Sequence, residues 1–329
     1  MPRIRTEPED FEVEEIPLFP LTGDGPFSYL WIEKRNLNTA DVLRALAQAS
    51  GVAPREVGYA GRKDRRALTR QWFSLPKKAA DRMKDLPLEG ARILARNIHR
   101  DRLGVGQLWG NRFRLLVREV DETTGRKAAA ELERMGEVGL PNRYGPQRFG
   151  RDGKNAERGA RLLQQDRLKG DRRQAWLMVS ALQSAVFNRV LERRPVAVWE
   201  LLPGDLVRVE GSGDLLPVEN PEEFAERLSA FEVSPTGPIF GGKMKRPTGA
   251  VAVLEAAAMM EYGLPGNGHM ALPRGLRIYG DRRPLRVRPR SVRSEWRADR
   301  SLYLTFELPA GSYATVLLDE LFPDGVEEA

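Results

Sequence analysis

Strand-like alternation marks both ends of this chain, and helical spacing fills its middle. Near the start, Phe11-Glu12-Val13-Glu14-Glu15-Ile16 and Tyr29-Leu30-Trp31-Ile32-Glu33 alternate apolar and polar residues, the period of a half-buried strand. Residues 71–75 and 112–119 also read as strands, and strands return at 285–289 and Leu302–Leu308. One helix is expected with Thr39 as its cap, running through Ala49 and closed by Gly51, and another near 126–135, ending at Gly136. Further helices are expected over 154–165, 172–193, 249–261 and 312–321. Another opens at Asn220-Pro221-Glu222-Glu223, with Asn as N-cap and Pro at the first position, and ends near Phe231. β-rich ends around a helical middle point to an α+β chain: a mixed-sheet core domain built from both ends, with a largely helical domain inserted. The breaker-rich run Gly139–Gly153 places a boundary there. The expected division is 1–141 and 285–329 for the core domain and 142–284 for the insertion.

The chemistry open to such a chain is narrow. It has no cysteine, so disulfides, thiolate metal sites and a cysteine nucleophile are excluded. Its two histidines, His99 and His269, stand alone in sequence and offer no metal site or Ser-His-Asp triad. If the chain is an enzyme, its chemistry must draw on carboxylates, Lys, Arg, hydroxyls or a bound cofactor. No apolar run approaches the roughly 20 residues that span a bilayer, and the first residues form no signal peptide, so a cytoplasmic monomer without membrane contact is expected.

The net charge is +7, and its distribution is uneven. Arg92–Arg118 carries seven arginines against one acid, and Arg277–Arg300 carries nine against three. Each segment also holds aromatics, Trp109 and Phe113 in one, Tyr279 and Trp296 in the other. Phosphate contact with stacking is how such surfaces bind RNA, although a solvated basic face has the same composition.

Two motif look-alikes lead nowhere. Gly237-Pro-Ile-Phe-Gly-Gly242-Lys243 has the spacing of a phosphate-binding P-loop. The next residue is Met244, which offers no oxygen to Mg²⁺, and Pro238 removes a backbone N–H, so a Gly-rich surface loop is expected. Gly104-Val-Gly106-Gln-Leu-Trp-Gly110 has the wrong spacing for a dinucleotide fingerprint. No nucleotide cofactor is indicated.

The strongest local signal is Gly58-Tyr-Ala-Gly61-Arg62-Lys63-Asp64-Arg65-Arg66, followed by Thr69, Gln71 and Trp72. Small residues permit a tight backbone, and a single acid then sits among four cations. On charge alone this is a salt-bridged loop. It is also what a carboxylate nucleophile needs when the substrate is RNA: cations for the phosphates and an ionised acid for the sugar or base.

With four other segments, this loop resembles the TruD family of tRNA pseudouridine synthases. The segments are Pro8-Glu-Asp-Phe11-Glu-Val13, Gly110-Asn111-Arg112-Phe113, Pro141-Asn-Arg-Tyr-Gly-Pro-Gln147-Arg148-Phe149-Gly150 and Leu308-Pro-Ala-Gly-Ser-Tyr-Ala-Thr315. They span nearly the whole chain in the family's order, and Lys63-Asp64 and Gln147–Gly150 are the most specific. The resemblance implies the pseudouridine synthase fold for the core domain and a family-specific insertion, with tRNA between them. It also implies isomerisation of uridine at tRNA position 13. It makes Asp64 the catalytic aspartate and places Asn111 and Phe113 in the active site, Phe113 stacking on the uracil. Arg5 stands where relatives carry a basic residue, often Lys, that pairs with the aspartate; Arg keeps the charge and changes the geometry. Lys63 is expected to meet the substrate beside Asp64. Gln147, Arg148 and Phe149 are expected to pack at a hinge.

Pseudouridine formation breaks the N1–C1′ bond, turns the base and rejoins it through C5, which needs no redox change, metal or external cofactor, so no cofactor is expected. The residues leave open whether the carboxylate attacks C1′ or C6, and which group moves the proton. The alternative to an enzyme is an RNA-binding protein or tRNA chaperone on a synthase-like fold, against which the intact Asp64, Asn111 and Phe113 argue. A phosphate-handling enzyme using Gly237–Lys243 is a weaker rival.

Overall fold

A computed structural model describes residues 1–83, 85–168, 170–266 and 272–328. His269 lies outside the described residues. The chain divides into two compact units. One holds residues 1–136, 289–314 and 318–329; the other holds residues 137–288 with 315–317. Among the described residues, no helix is long and apolar enough to cross a membrane.

The first unit is built on a mixed sheet. Its long strands are β1 (Phe11–Pro17), β2 (Phe27–Arg35), β3 (Leu68–Pro76), β4 (Ala91–His99), β5 (Leu108–Val117), β6 (Arg290–Arg297) and β7 (Ser301–Pro309). They lie in the order β6-β7-β5-β1-β3-β2-β4, with the short strand Gly58–Tyr59 added on β3. β1 and β3 run parallel and the other neighbours antiparallel, so residues 290–309 close onto a strand from the first half of the chain.

Register gives the two faces different chemistry, because residues opposite one another point to the same side. On one face, Phe306, Phe113, Val13, Thr69 and Lys34 stand in a row across β7, β5, β1, β3 and β2. The neighbouring residues of the same strands form an alternating charge row on the other face: Glu307, Arg112, Glu14, Arg70 and Glu33, continued by Arg92 on β4. Ion pairs run along it, Arg112–Glu307 at 2.8 Å, Arg112–Glu14 at 3.0 Å, Arg70–Glu14 at 4.0 Å, Arg70–Glu33 at 2.8 Å and Arg92–Glu33 at 2.7 Å. A slip of one residue would bury this row, so it pins the register as firmly as the apolar face does.

This row revises the reading of Arg92–Arg118 as a polyanion surface. Arg92, Arg100, Arg112, Arg114 and Arg118 each pair with a carboxylate, from Glu33, Asp24, Glu14 with Glu307, Glu14 and Asp10 respectively. Arg96 and Arg102 donate to backbone carbonyls. The acids that offset the segment lie far away in sequence, where a local count does not see them.

Helix α1 (Thr39–Ser50) packs Val42 and Leu46 against Leu30, Ile32, Phe73 and Leu75. Gly51 closes it in the left-handed conformation, as expected. Its N-cap is Asn38, boxed with Asp41, and not Thr39, which leaves the Thr39 hydroxyl for another use. Helix α2 (Glu122–Val138) runs through Gly136, where a stop was expected. A Cβ at Gly136 would lie 2.9 Å from Val292 Cγ2, so glycine there admits a neighbour instead of ending the helix.

In the second unit, the helix Arg172–Arg193 packs Val179, Leu182 and Val186 with Leu162, Ala258 and Met259. Its N-cap, Asp171, accepts from the Arg173 N–H. The expected helices are present, but a four-stranded antiparallel sheet joins them: Leu215–Pro217, Leu206–Val209, Val233–Ile239 and Asp281–Pro284, in that order. The segment Gly237–Lys243 therefore begins inside a strand, correcting the expected surface loop. A Cβ on Gly237 would meet Leu285 and Phe187 at 2.8 and 2.9 Å, and the Gly242 N–H already donates to Ile278. These groups are spent on packing and pairing, so they form no phosphate cradle.

Candidate active site

The segment 61–67 is tied to side chains of β1, β2, β3 and α1. Gln71, fully buried on β3, donates through Nε2 to the Gly61 carbonyl at 3.0 Å. Its Oε1 accepts from the Thr39 hydroxyl at 2.9 Å, and that hydroxyl accepts the Lys63 backbone N–H at 2.9 Å. The Lys63 ammonium turns inward to Glu15 Oε2 at 2.7 Å, while Glu15 Oε1 accepts from the Trp72 N–H. Burial pushes the Glu15 carboxyl up, and the Lys63 charge opposes the shift. Lys34 Nζ donates to the carbonyl of Asp64 at 2.8 Å and to that of Leu37 at 2.6 Å.

On this fixed base the Asp64 side chain points outward, 37% exposed. Arg5 meets it with Nη2 3.3 Å from Oδ2. The Arg5 side chain is only 7% exposed and lies over the Phe11 ring at 4.1 Å. Its Nη1 is 3.4 Å from Glu328, whose short strand Glu327–Glu328 pairs in parallel with Arg3–Ile4. Arg5 adopts a positive φ of 61°, an uncommon conformation for a non-glycine residue, held by these contacts. A cation is thus anchored on an aromatic face and aimed at one carboxylate oxygen. Arg62, Arg65 and Arg66 are exposed on either side of Asp64.

A family model described as tRNA pseudouridine synthase D (TruD) matches residues 2–170 and 167–321. The chain belongs to the TruD family. It is 40% identical over 327 residues to a tRNA pseudouridine synthase D of Thermus thermophilus, covering 97% of this chain and 88% of that one. It is 39% identical over 332 residues to the protein of the same name from an Anaeromyxobacter species, covering 98% and 93%. The fold matches a crystal structure of a TruD protein from Methanosarcina mazei with a TM-score of 0.71 at 22% identity, over 98% of this chain and 93% of that one.

Of the residues that the TruD resemblance singled out, the structure brings Arg5 and Asp64 into contact and sets Asn111 and Phe113 on the sheet face that also carries Glu15 and Lys34. Asn111 Oδ1 is buried with no hydrogen-bond partner among the described residues, an acceptor left open. Lys63 is placed differently from the expectation. It is 3% exposed and committed to Glu15, so it anchors the loop and presents no charge to a substrate. Phe113 is 6% exposed, stacked on Phe306 at 5.2 Å and set edge-on to Phe11 at 6.3 Å. One ring face is therefore already covered, and the residue is a buried member of an aromatic cluster. Phe113→Ala is expected to lower unfolding stability by about 3–5 kcal/mol, as for other buried Phe truncations. Thermal denaturation of the variant checks this, and an unchanged midpoint would mean that the ring packs loosely.

Lys34, Glu15 and Thr39 were not singled out from sequence as site residues, and Gln71 was noted only as part of the loop motif. The signal for two of them was present. Leu30-Ile32-Lys34 and Phe11-Val13-Glu15 are inward runs of alternating strands that end on a charge where the pattern calls for an apolar residue.

Proposed function

We propose that this TruD-family protein is a tRNA pseudouridine synthase that converts uridine to pseudouridine at position 13, with Asp64 as the essential carboxylate. The observation that carries the reading is the contrast at Asp64: a half-open carboxylate beside a buried Lys63 anchor, with Arg5 on one oxygen. That arrangement keeps a reactive oxygen in one place while leaving it reachable. Arg5 fixes Oδ2 and so leaves Oδ1 to approach the nucleotide.

The target nucleotide must leave its stack before a side chain can reach it. Exposed Arg62 and Arg65 supply phosphate contacts on both sides of the carboxylate, and the open Oδ1 of Asn111 is an acceptor for the uracil N3–H. Phe113 supports that pocket from the aromatic cluster with Phe306 and Phe11. Asp64 then attacks C1′ or C6, or stabilises a cationic sugar, while the base turns and rejoins through C5. Residues 1–136 with the return strands form the catalytic part in this reading, and residues 137–288 the TruD-specific insertion. The protein acts in the cytoplasm.

Pseudouridine mapping on unmodified tRNA transcripts tests the proposal. One new pseudouridine at position 13 is the expected result. Tight tRNA binding with no pseudouridine in any transcript would overturn it in favour of an RNA-binding protein on this fold.

A further inference from the structure

Lys34 is fully buried at the end of an inward strand run whose earlier members are Leu30 and Ile32. An apolar side chain would be cheaper to bury there, since an ammonium in a protein interior costs free energy unless it is well paired. Its hydrogen bonds run to carbonyls, those of Leu37 and Asp64, and not to a carboxylate. The charged groups facing it are Asp64 and Lys63 from the loop and Asp41 from α1. What this amine secures is the backbone of Asp64, whose own carboxylate is half-open.

The two contacts on Asp64 divide the work. Arg5 grips a carboxylate oxygen, which sets the rotation of the side chain. Lys34 grips the main-chain carbonyl, which sets where the Cα sits and therefore how far the carboxylate reaches. Its second bond, to Leu37, ties that point to the turn leading into α1, so the loop and the turn cannot move apart while the lysine spans them.

We propose that Lys34 is a positioning residue for the reaction, fixing the reach of the Asp64 carboxylate through the Asp64 carbonyl. The proposal rests on Asp64 being the reacting carboxylate. Burial brings the Lys34 amine down to about 8, against the pull of Asp64. Deprotonation leaves two neutral N–H donors in place of charge-assisted ones, so the grip on the Asp64 carbonyl weakens and the rate falls as pH rises through about 8. Stability changes the other way. Between about 8 and the ordinary lysine value of 10.5, the unfolded chain still holds the proton and the folded chain does not, so this group's contribution to stability grows with pH. A lysine that served only as scaffold would not make rate and stability diverge.

The test compares wild type, Lys34→Met and Asp64→Asn. Single-turnover pseudouridine formation, tRNA affinity and melting temperature are each followed across the pH window around 8. Methionine keeps an unbranched stem one atom shorter and removes the N–H donors and the charge. The expected result is a rate roughly 100-fold lower for Lys34→Met, the scale for a catalytic group misplaced by about 1 Å. Its tRNA affinity should be unchanged, and its residual rate should lack the alkaline fall seen in wild type. A folded Lys34→Met enzyme with the wild-type rate would overturn the proposal and leave the role of Asp64 standing. So would a loss confined to tRNA affinity. If Lys34→Met does not fold, Lys34→Gln decides, because its amide keeps two N–H donors on a shorter stem: a folded Lys34→Gln enzyme with the wild-type rate overturns the proposal. An active Asp64→Asn enzyme would instead remove the reading on which the proposal rests.

Discussion

Replacing Asp64 by Asn is expected to abolish pseudouridine formation while leaving tRNA affinity and the melting temperature unchanged. The amide matches the carboxylate in size, and its oxygen can still accept from Arg5 Nη2. The hydrogen bonds from beneath the loop run to its backbone: Lys34 holds the Asp64 carbonyl and Thr39 the Lys63 N–H. What disappears is the negative charge and the nucleophilic oxygen. Loss of a covalent nucleophile lowers turnover on the order of 10⁴–10⁶-fold, or about 5–8 kcal/mol of transition-state stabilisation. Single-turnover assays on position-13 uridine tRNA measure it. Turnover within a small factor of wild type would remove Asp64 from the chemistry, and a parallel fall in melting temperature would mean that the carboxylate also holds the loop.

The second large effect concerns folding. Lys63→Met should destabilise the protein by about 3–5 kcal/mol, because it strands the Glu15 carboxylate in the interior. The Glu15 side chain is 1% exposed, and burial already pushes its carboxyl above the ordinary value of 4.5. With the lysine gone, only that burial and the Trp72 N–H remain to act on it. The raised folded-state value fixes the sign. The folded variant favours protonated Glu15, so its stability is fully present below 4.5 and falls as pH rises through the raised value. The deficit against wild type should therefore be small in acid and full at neutral pH. Lys63→Met with Glu15→Leu should recover most of the loss, since a well-packed apolar pair often replaces a buried ion pair without penalty. Chemical denaturation of the two variants at acid and neutral pH measures this. Equal stability of Lys63→Met and wild type at neutral pH would show that water reaches Glu15.

Much of the first unit was legible because its strands alternate. Phe11–Pro17, Phe27–Arg35 and Ser301–Pro309 announce themselves by period, and the Lys63-Asp64 and Asn111–Phe113 motifs lie on or beside them. Strand Ala91–His99 escaped because most of it is exposed, so no apolar period was imposed on it. Val233–Ile239 escaped for a different reason. Pro235, Gly237 and Pro238 argue against a strand, yet Gly237 is there because Phe187 and Leu285 leave no room for a Cβ. The role of Lys63 was misjudged because a local count sees it as one cation of four. Only the return of β1 beneath the loop supplies Glu15, which is 48 residues away. The same distance effect hid the neutralisation of the Arg92–Arg118 segment.

The pairing of Arg3–Ile4 with Glu327–Glu328 places a condition on when the site is assembled. Arg3 and Glu327 are 324 positions apart, yet the residue that follows this strand, Arg5, is the one that grips Asp64. A ribosome adding roughly 5–20 residues per second needs tens of seconds to cover that span. From the synthesis of Asp64 until Glu327 is added, the chain holds this carboxylate without the strand that steadies its cation. Chains aborted before Glu327 would carry the carboxylate and lack its finished setting, so unfinished translation products should turn over tRNA poorly.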